Sequence, residues 1–368
     1  FEYFLSSGNS LTLSELNLPI RKIMKAALLT DIKEFKIDQV ADPMLSNDTD
    51  VLIKVGVVGV CGSDVHYYER GRIGDQIVEY PFTIGHEFAG TVEQTGKNVT
   101  RVKPGDRVAV DPAISCGKCD QCLAGRPHTC RNIRFLGCPG QSSGSLSDHI
   151  VMPEESCFPL PENLSLDEGA LSEPLSIGLY AVKQSGLEKD MNIGILGYGP
   201  IGMSVYLTAK AYGAGNTYVT DKLDPRLEIA RQAGANQIGN PDEEDVVQKF
   251  NEAEPSQLDV VFECCGEQDA LDNAIDLVKP GGKILIVGIP ATDKWSFDQS
   301  KGRRKEITFI NVRRQNGTVQ ETLDLMAAGK IQAGSMVTHR YSLDQTPEAF
   351  DLVSNYRDGV MKAMIEVE

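Results

Sequence analysis

A glycine-rich turn, Gly-Tyr-Gly-Pro-Ile-Gly at 197–202, constrains the fold more than any other feature of this chain. It directly follows the apolar run NIGILG and opens the segment GMSVYLTAKAYGA, which we interpret as a helix. In a βαβ unit, glycines at this point let the backbone approach a pyrophosphate that rests on the helix N-terminus. The alternative is a tight strand-to-helix turn that binds no ligand.

An acidic residue at the end of the next apolar run favours the ligand-binding interpretation. Asp221 follows the turn by about 20 residues, where a carboxylate can accept the ribose hydroxyls of NAD and would repel the 2′-phosphate of NADP. Arg226 could flank the adenosine and is the one feature that tempers this preference. We therefore expect an NAD site that includes Gly197, Gly199, Ile201, Gly202, Asp221 and Arg226.

Short apolar, β-branched runs alternate with helix-like segments in the second half of the chain, at 192–197, 215–221, 258–264 and 282–289. This pattern predicts a parallel sheet with helices on both faces. From about residue 24 to 170, short strands separated by Gly, Pro and Asp predict an antiparallel β domain instead. A helix and two strands after residue 316 should return to that domain.

The fold class is therefore α/β, with a mostly antiparallel β domain and a doubly wound parallel sheet. We place the first domain at 24–175 and 316–368, and the second at 176–315. Residues 1–23 show no strong strand alternation and precede Met24, so we expect them to be an N-terminal extension, a cloning remnant or a mis-set start.

Composition excludes several classes of partner. A net charge of -16 disfavours duplex nucleic acid and anionic membranes, because both reward clustered Lys and Arg. No apolar run approaches the roughly 20 residues that span a bilayer, and no basic stretch followed by an apolar core marks a secretory signal. We expect a cytoplasmic protein with neither nucleic-acid nor membrane partners.

Four cysteines in CGKCDQCLAGRPHTC have the spacing of a closed tetrahedral zinc site: Cys116, Cys119, Cys122 and Cys130. A soft four-sulfur set selects zinc and leaves no open coordination position, so such a site orders a loop and does no chemistry itself. The alternative is a disulfide pair or scattered free thiols, for which a long chain without a secretory signal has little need.

A second, open metal site is suggested by Cys61, in VGVCGSDVHYYERGRIGD, and by His86 and Glu87, in PFTIGHEFAG. A Cys–His–carboxylate set leaves a zinc position for water or substrate, so the metal can act as a Lewis acid on an alcohol or carbonyl. Asp64 could orient His86 by accepting its other ring N–H. Each residue alone would indicate only a buried thiol or a core imidazole, and the combination with the cysteine quartet and the glycine turn favours the metal.

Together these residues resemble the zinc-dependent medium-chain dehydrogenases, and within them the polyol (sorbitol, xylitol or L-arabinitol) dehydrogenases. The resemblance covers 24–368 and rests on CGSDVHYYERGRIGD, GHEFAG, the cysteine loop, SEPLSIG, GYGPIG with VTD, and VGI at 287–289. It implies a GroES-like catalytic domain interrupted by a Rossmann domain, commonly in a homotetramer. It also implies oxidation of a secondary hydroxyl of a small-molecule polyol to a ketose with NAD.

The resemblance implies roles for single residues. Cys61, His86 and Glu87 would bind a catalytic zinc, which Glu173 in SEPLS would touch directly or through water. Ser63 would accept the leaving proton and pass it through cofactor hydroxyls to His66. The alternatives are that a bound water takes the place of Ser63 and that His66 is a structural imidazole. The expected substrate contacts are Tyr67, Phe135 and Arg313, and the further cofactor contacts are Val287, Gly288 and Ile289.

Two segments depart from the family pattern and leave the length and stereochemistry of the polyol open. Arg313 and Arg314 stand where many polyol dehydrogenases have Arg-Tyr, and the stretch FLGCPGQSSGSLSDH is unusually rich in Gly and Ser. One guanidinium could hold a substrate hydroxyl or a cofactor phosphate, and the other could pair at a subunit surface.

Two other functions remain open from the sequence. An L-threonine 3-dehydrogenase or simpler secondary-alcohol dehydrogenase would have the same fold. Glu173 in its Glu-Pro-Leu-Ser context, and Tyr67 next to His66, favour a polyol. A non-catalytic protein that binds NAD and zinc is the other alternative, but it would have no need for an open metal site.

Overall fold

The computed structural model describes residues 22–290 and 294–367, and within them the chain forms nineteen strands and ten α-helices. The predicted extension at 1–23 lies outside these residues except for its last two. In chain order the strands are β1 (Ile23–Asp31), β2 (Glu34–Ala41), β3 (Asp50–Gly59), β4 (Arg72–Ile73), β5 (Gln76–Ile77), β6 (Glu87–Thr95), β7 (Arg107–Val110), β8 (Ala113–Ile114), β9 (Arg134–Phe135), β10 (His149–Pro153), β11 (Cys157–Pro159), β12 (Ile193–Leu196), β13 (Thr217–Thr220), β14 (Gln237–Gly239), β15 (Leu258–Glu263), β16 (Val278–Ile286), β17 (Thr308–Asn311), β18 (Val337–Ser342) and β19 (Lys362–Glu366). The helices are α1 (Gly62–Arg70), α2 (Asp120–Leu123), α3 (Leu166–Ser185), α4 (Pro200–Ala211), α5 (Asp224–Gln232), α6 (Val246–Ala253), α7 (Gln268–Leu277), α8 (Gln299–Lys305), α9 (Val319–Ala327) and α10 (Thr346–Ser354).

The larger sheet has seven strands in the order β11-β7-β6-β3-β19-β18, with β10 also paired to β3. Its pairs are antiparallel except for β18 with β19. The last strand of the chain lies beside β3, with Met364 opposite Gly59. The predicted antiparallel β architecture is therefore confirmed, and the final strands join the sheet of the first half.

The second sheet has six parallel strands in the order β14-β13-β12-β15-β16-β17. Ile193 of the central strand β12 lies opposite Thr217 on one side and Val260 on the other. The four apolar runs correspond to β12, β13, β15 and β16, so the predicted parallel sheet is confirmed. We did not predict β14 and β17, because edge strands are short and partly exposed and need no long apolar run.

Helix α3 joins the two sheets. Its N-terminus carries a capping box in which Ser165 and Glu168 satisfy each other's backbone N–H groups. Further along, Gly178 packs so closely on α4 that a Cβ there would lie 2.5 Å from the Ser204 carbonyl carbon. The boundary that we placed between residues 175 and 176 falls within this helix, and the domain limits stay a prediction.

One apolar core runs from the antiparallel sheet through α3 into the parallel sheet. Ala89 and Met364 belong to it on one side, Leu175 lies in its middle, and Ile195 belongs to it on the other side; all four are fully buried. Burial of this continuous apolar surface holds the two sheets together. None of the helices in the described part of the chain combines the length and apolar character that crossing a bilayer requires.

Candidate active site

The glycine turn is tight at the start of α4. Gly197 has φ of +92°, and a Cβ at Gly202 would lie only 1.9 Å from the Gly197 carbonyl oxygen. Gly199 is the N-cap residue of α4, and Ile201 lies half-buried in its first turn. Because Gly199 has no side chain, the first N–H groups of the helix stay available to an anion.

Asp221 lies beside this turn, at the end of β13. Its Oδ2 accepts a hydrogen bond from the Tyr198 N–H at 2.7 Å, and its Oδ1 accepts one from the Leu223 N–H at 2.9 Å. Arg226 Nη1 is 3.9 Å from Asp221 Oδ2, and Arg226 Nη2 donates to the Val360 carbonyl at 3.3 Å. The structure thus brings together the turn, Asp221, which we expect at the ribose, and Arg226, which we expect beside the adenosine.

The carboxyl ends of β15 and β16 lie next to the same turn. Val287 and Gly288 donate their N–H groups to the Glu263 carbonyl, and a Cβ at Gly197 would lie 2.7 Å from Cys265 Cβ. Ile289 is 52% exposed and leaves its side chain free to contact a ligand. Ligands of open α/β sheets bind at this carboxyl edge.

Cys61, His86 and Glu87 come together at the start of α1 and β6. One potential ligand atom from each lies within 4.8 Å of the others. His86 Nδ1 is 3.2 Å from Asp64 Oδ1, which also accepts from the Gly85 N–H at 3.3 Å. The soft thiolate, the oriented imidazole and the carboxylate fit a zinc ion.

Lys362 is a functional-site neighbour that our sequence analysis missed. It is 1% exposed, and its Nζ lies 2.6 Å from Glu87 Oε2, 2.9 Å from Glu87 Oε1 and 3.1 Å from the Val60 carbonyl oxygen. Both oxygens of the predicted ligand Glu87 therefore already accept hydrogen bonds. A lysine inside the apolar final strand, KAMIEVE, was the one signal in the sequence.

Glu173 projects from α3 towards the same donors. It is 7% exposed, and its Oε2 has no hydrogen-bond partner among the described residues. Burial raises the pKa of Glu173 to about 7; His86 opposes the shift and Glu87 adds to it. An unpartnered buried carboxylate oxygen is costly on its own and is available to a ligand or an ion.

Ser63 and His66 lie one turn apart on α1, on the same face of the helix. Ser63 Oγ donates to Cys61 Sγ at 3.3 Å, which places the hydroxyl at the open donor set. Burial lowers the pKa of His66, and Arg70 lowers it further. The imidazole is therefore neutral near pH 7 and able to accept a proton.

The expected substrate residues separate into two groups. Tyr67 is buried and donates to Gln76 Oε1 at 3.0 Å, and the Phe135 ring lies 5.2 Å from the His86 ring. Arg313, in contrast, is exposed, whereas the Arg314 guanidinium lies 3.8 Å from the centre of the Phe135 ring. The structure places Arg314, not Arg313, one aromatic ring away from His86, and the backbone at 314 lies in the left-handed region with φ of +54°.

The second cysteine group is compact. A sulfur atom from each of the four predicted ligands lies within 4.8 Å of the others, and no disulfide joins any of the nine cysteines, all of which lie within 22–290. Backbone N–H groups of Lys118 and Cys119 stabilise the Cys116 thiolate and lower its pKa to about 6. Four sulfur atoms this close together fit a closed zinc site.

Comparison with known proteins agrees with this geometry. Residues 47–162 match the alcohol dehydrogenase GroES-like domain, and residues 200–328 match the zinc-binding dehydrogenase domain. Sorbitol dehydrogenase of Bacillus subtilis (strain 168) is 37% identical over 343 residues, which cover 93% of this chain and 97% of that protein. The chain belongs to the zinc-binding alcohol dehydrogenases. The fold class and the family that the sequence predicted are thereby confirmed.

Two further proteins resemble this zinc-binding dehydrogenase along most of its length. L-idonate 5-dehydrogenase of Vitis vinifera is 36% identical over 89% of this chain and 90% of its own. The crystal structure of ECK1772, an oxidoreductase/dehydrogenase of unknown specificity from Escherichia coli, superposes with a TM-score of 0.89 at 33% identity, covering 94% of this chain and 100% of that one.

Zinc and NAD are the cofactors of this zinc-binding dehydrogenase. Both groups of metal donors lie within the residues that match the GroES-like domain, and Asp221 and Arg226 lie within those that match the second domain.

Proposed function

We propose that this chain is a zinc-dependent polyol dehydrogenase, which transfers a hydride from a secondary hydroxyl of a polyol such as sorbitol or xylitol to NAD and gives a ketose. One structural observation carries the proposal. Helix α3 carries the buried Glu173, whose pKa responds to His86 and Glu87, and packs Gly178 on α4, the helix that follows the glycine turn. Hydride transfer needs the carbinol carbon and the nicotinamide to be held in fixed relation, which a shared rigid helix provides.

In this proposal Cys61 and His86 hold the catalytic zinc, with Glu87 or Glu173 as the carboxylate ligand. When bound, the zinc supplies Lewis-acid polarisation of the substrate oxygen, and NAD supplies the hydride acceptor. Asp64 fixes the His86 ring through its Nδ1 contact. The quartet Cys116, Cys119, Cys122 and Cys130 holds a structural zinc that orders its lobe.

Ser63 and His66 move the proton that the hydroxyl loses. Ser63 Oγ lies at the donor set, where it can take the proton as the hydride leaves. His66, half-buried and neutral at pH 7, accepts the proton farther out on the same helix face. Tyr67 and Phe135 form the wall of the substrate pocket, and burial raises the pKa of Tyr67, so its hydroxyl remains a hydrogen-bond donor.

Formation of NADH tests the proposal directly. Sorbitol, xylitol, L-arabinitol, galactitol, L-threonine and 2-butanol are assayed with zinc-loaded protein and NAD. We expect turnover of at least one polyol, with threonine and 2-butanol much poorer. Preferred oxidation of threonine or 2-butanol would favour the secondary-alcohol alternative, and no turnover of any of the six would contradict the oxidation of a neutral polyol.

A ligand variant tests the assignment of the open site. Cys61→Ala should abolish turnover and lower the zinc content by about one ion per chain, because an open site keeps few ligands to spare. Cys157→Ala is the matched control, since Cys157 is a buried thiol in β11 outside both donor groups. Retained activity in Cys61→Ala would contradict the assignment.

The assembly and compartment also belong to the proposal. We infer a homotetramer, by resemblance to the polyol dehydrogenases, which light scattering on the purified protein measures. We place the enzyme in the cytoplasm, because two thiolate-containing metal sites need reduced cysteines.

A further inference from the structure

Arg314 carries a charge that the fold does not pair. Its Nη1 is buried and lacks any hydrogen-bond partner, and the guanidinium has no salt-bridge partner within 22–290 and 294–367. The ring of Phe135 lies 3.8 Å from Cζ, which is a favourable stacking contact but supplies no hydrogen-bond acceptor. A partly buried guanidinium with an unpartnered buried N–H group costs free energy that a bound anion can recover.

The carboxylate of Asp111, which could pair with Arg314, already accepts hydrogen bonds from other groups. Asp111 Oδ1 accepts the Ala113 N–H at 2.9 Å, and Asp111 Oδ2 accepts Gln315 Nε2 at 2.6 Å. Asp111 and Glu173 are near enough to affect the pKa of Arg314, yet neither forms an ion pair with it. The side chain of Gln315, the residue that follows Arg314, thus binds the Asp111 carboxylate in place of the Arg314 guanidinium.

The position of this guanidinium points to the substrate. The Phe135 ring contacts Arg314 and also lies 5.2 Å from the His86 ring, so Arg314 is separated from the open donor set by one aromatic side chain. Tyr67, whose hydroxyl approaches Cys138 Sγ at 3.7 Å, borders the same region, and the charge of Arg314 acts on both groups.

The backbone supports this orientation. Arg314 has φ of +54°, a conformation that a residue with a long side chain rarely adopts. Gln315 Oε1 accepts the Thr318 N–H at 3.0 Å and so closes the turn behind it. The turn directs the side chain of 314 inward while that of Arg313 stays exposed.

We propose that Arg314 binds an anionic terminal group of the substrate, a carboxylate or a phosphate, so that the enzyme prefers a polyhydroxy acid or a polyol phosphate over the neutral polyol. This inference rests on the proposed dehydrogenase function and specifies its substrate class. A planar guanidinium matches both anions, because two parallel N–H groups can bind two oxygens. The hydroxyl to be oxidised then lies at the open donor set, on the other side of Phe135.

Matched substrates test the preference. Sorbitol, L-iditol and galactitol are compared with the aldonates D-gluconate, L-idonate and D-galactonate, and with sorbitol 6-phosphate and galactitol 1-phosphate. We expect kcat/KM for at least one anionic compound to exceed that of its neutral counterpart by at least about tenfold. The two anionic sets distinguish a carboxylate from a phosphate. A neutral polyol as the best substrate would overturn the inference and leave the dehydrogenase function intact.

Three variants test whether Arg314 causes the preference for anionic substrates. Arg314→Met should lower kcat/KM for the anionic substrate about 10- to 100-fold, and for the neutral polyol less than about threefold. Arg314→Lys should keep part of the preference, because it retains the charge without the planar fork. Equal losses on both substrates, or loss of the preference in Arg313→Met instead, would overturn the assignment.

A binding measurement separates this inference from catalysis. The thermal midpoint of the zinc-loaded protein with NADH is recorded with each anion and each polyol. Stabilisation by an anion that Arg314→Met abolishes would support the site even if no compound is oxidised, in which case the proposed function alone fails. Equal stabilisation of wild type and both Arg314 variants would overturn the site. The midpoint without ligand reports whether each variant is folded.

Discussion

Removal of the buried lysine beside the open donor set should destabilise this protein strongly. In Lys362→Met, the Glu87 carboxylate loses the Nζ that now lies 2.6 and 2.9 Å from its two oxygens. The two side chains are 1% and 2% exposed, so water cannot replace the lost cation. Burial alone would lower the pKa of Lys362, but the charges of Glu87 and Cys61 raise it, and the lysine is charged at neutral pH.

The size of the destabilisation follows from the Glu87 carboxylate, which stays buried and charged after its partner is removed. Breaking a buried ion pair by removing one partner typically costs about 3–5 kcal/mol, because the remaining charge is desolvated and unpaired. In a chain of 368 residues, with an unfolding entropy of about 2.1 cal/mol/K per residue, about 1 kcal/mol shifts the thermal midpoint by about 1.3 °C. We therefore expect the midpoint of Lys362→Met to fall by about 4–7 °C.

The assay is differential scanning calorimetry of zinc-depleted protein, so that no metal ion can serve as a substitute cation. The double variant Lys362→Met/Glu87→Gln should recover part of the loss, because it removes the orphaned charge. Lys183→Met is the matched control: Lys183 Nζ also lies 2.6 Å from a carboxylate oxygen, of Glu321, but that pair is 44% and 37% exposed and should contribute less than about 1 kcal/mol. If Lys362→Met costs no more than Lys183→Met, or if the double variant recovers nothing, the buried-charge argument is wrong.

Three further predictions concern the quartet, the cofactor and the pH dependence of stability. Cys116→Ser should lower the zinc content by about one ion per chain and reduce the thermal midpoint while NAD binding persists; an unchanged zinc content, measured by plasma mass spectrometry, would argue against a four-sulfur site. Asp221→Ser should relax the preference for NAD towards NADP, measured as the ratio of kcat/KM for the two cofactors, and an unchanged ratio would mean that another group reads the ribose. Burial raises the pKa of Asp111 from 3.8 to about 6, so the folded state holds this proton more tightly than the unfolded chain and loses stability as the pH rises from about 4 to about 6. Asn does not titrate, so Asp111→Asn should not lose this stability. The unfolding free energy of the variant minus that of the wild type should therefore increase by up to about 3 kcal/mol between pH 4 and pH 7. A difference that does not vary with pH would contradict the raised pKa of Asp111.

Local patterns in the sequence were sufficient for the fold class. The apolar runs of β12, β13, β15 and β16 alternate with helices at the spacing of a parallel sheet, whereas the short strands before residue 170 do not alternate with helices in this way. Within the parallel sheet, only the edge strands β14 and β17 escaped prediction, because partly exposed edges need little hydrophobic signal.

The sequence by itself determined the groups whose members are close along the chain. Cys116 and Cys130 are 14 residues apart, and the glycine turn and Asp221 belong to one βαβ unit, so covalent geometry and the strand-to-helix turn bring them together. These short spacings therefore predict the zinc site and the cofactor site without knowledge of the rest of the fold.

Only the tertiary structure decided how the open donor set is surrounded. Lys362 and Glu87 are separated by 275 residues and meet because their strands, β19 and β6, both pair with β3 at Gly59. The inward direction of Arg314 rather than Arg313 depends on a left-handed turn and on Gln315, which holds Asp111 away. Long-range register and side-chain direction are set by packing of the whole core, so no local spacing encodes them.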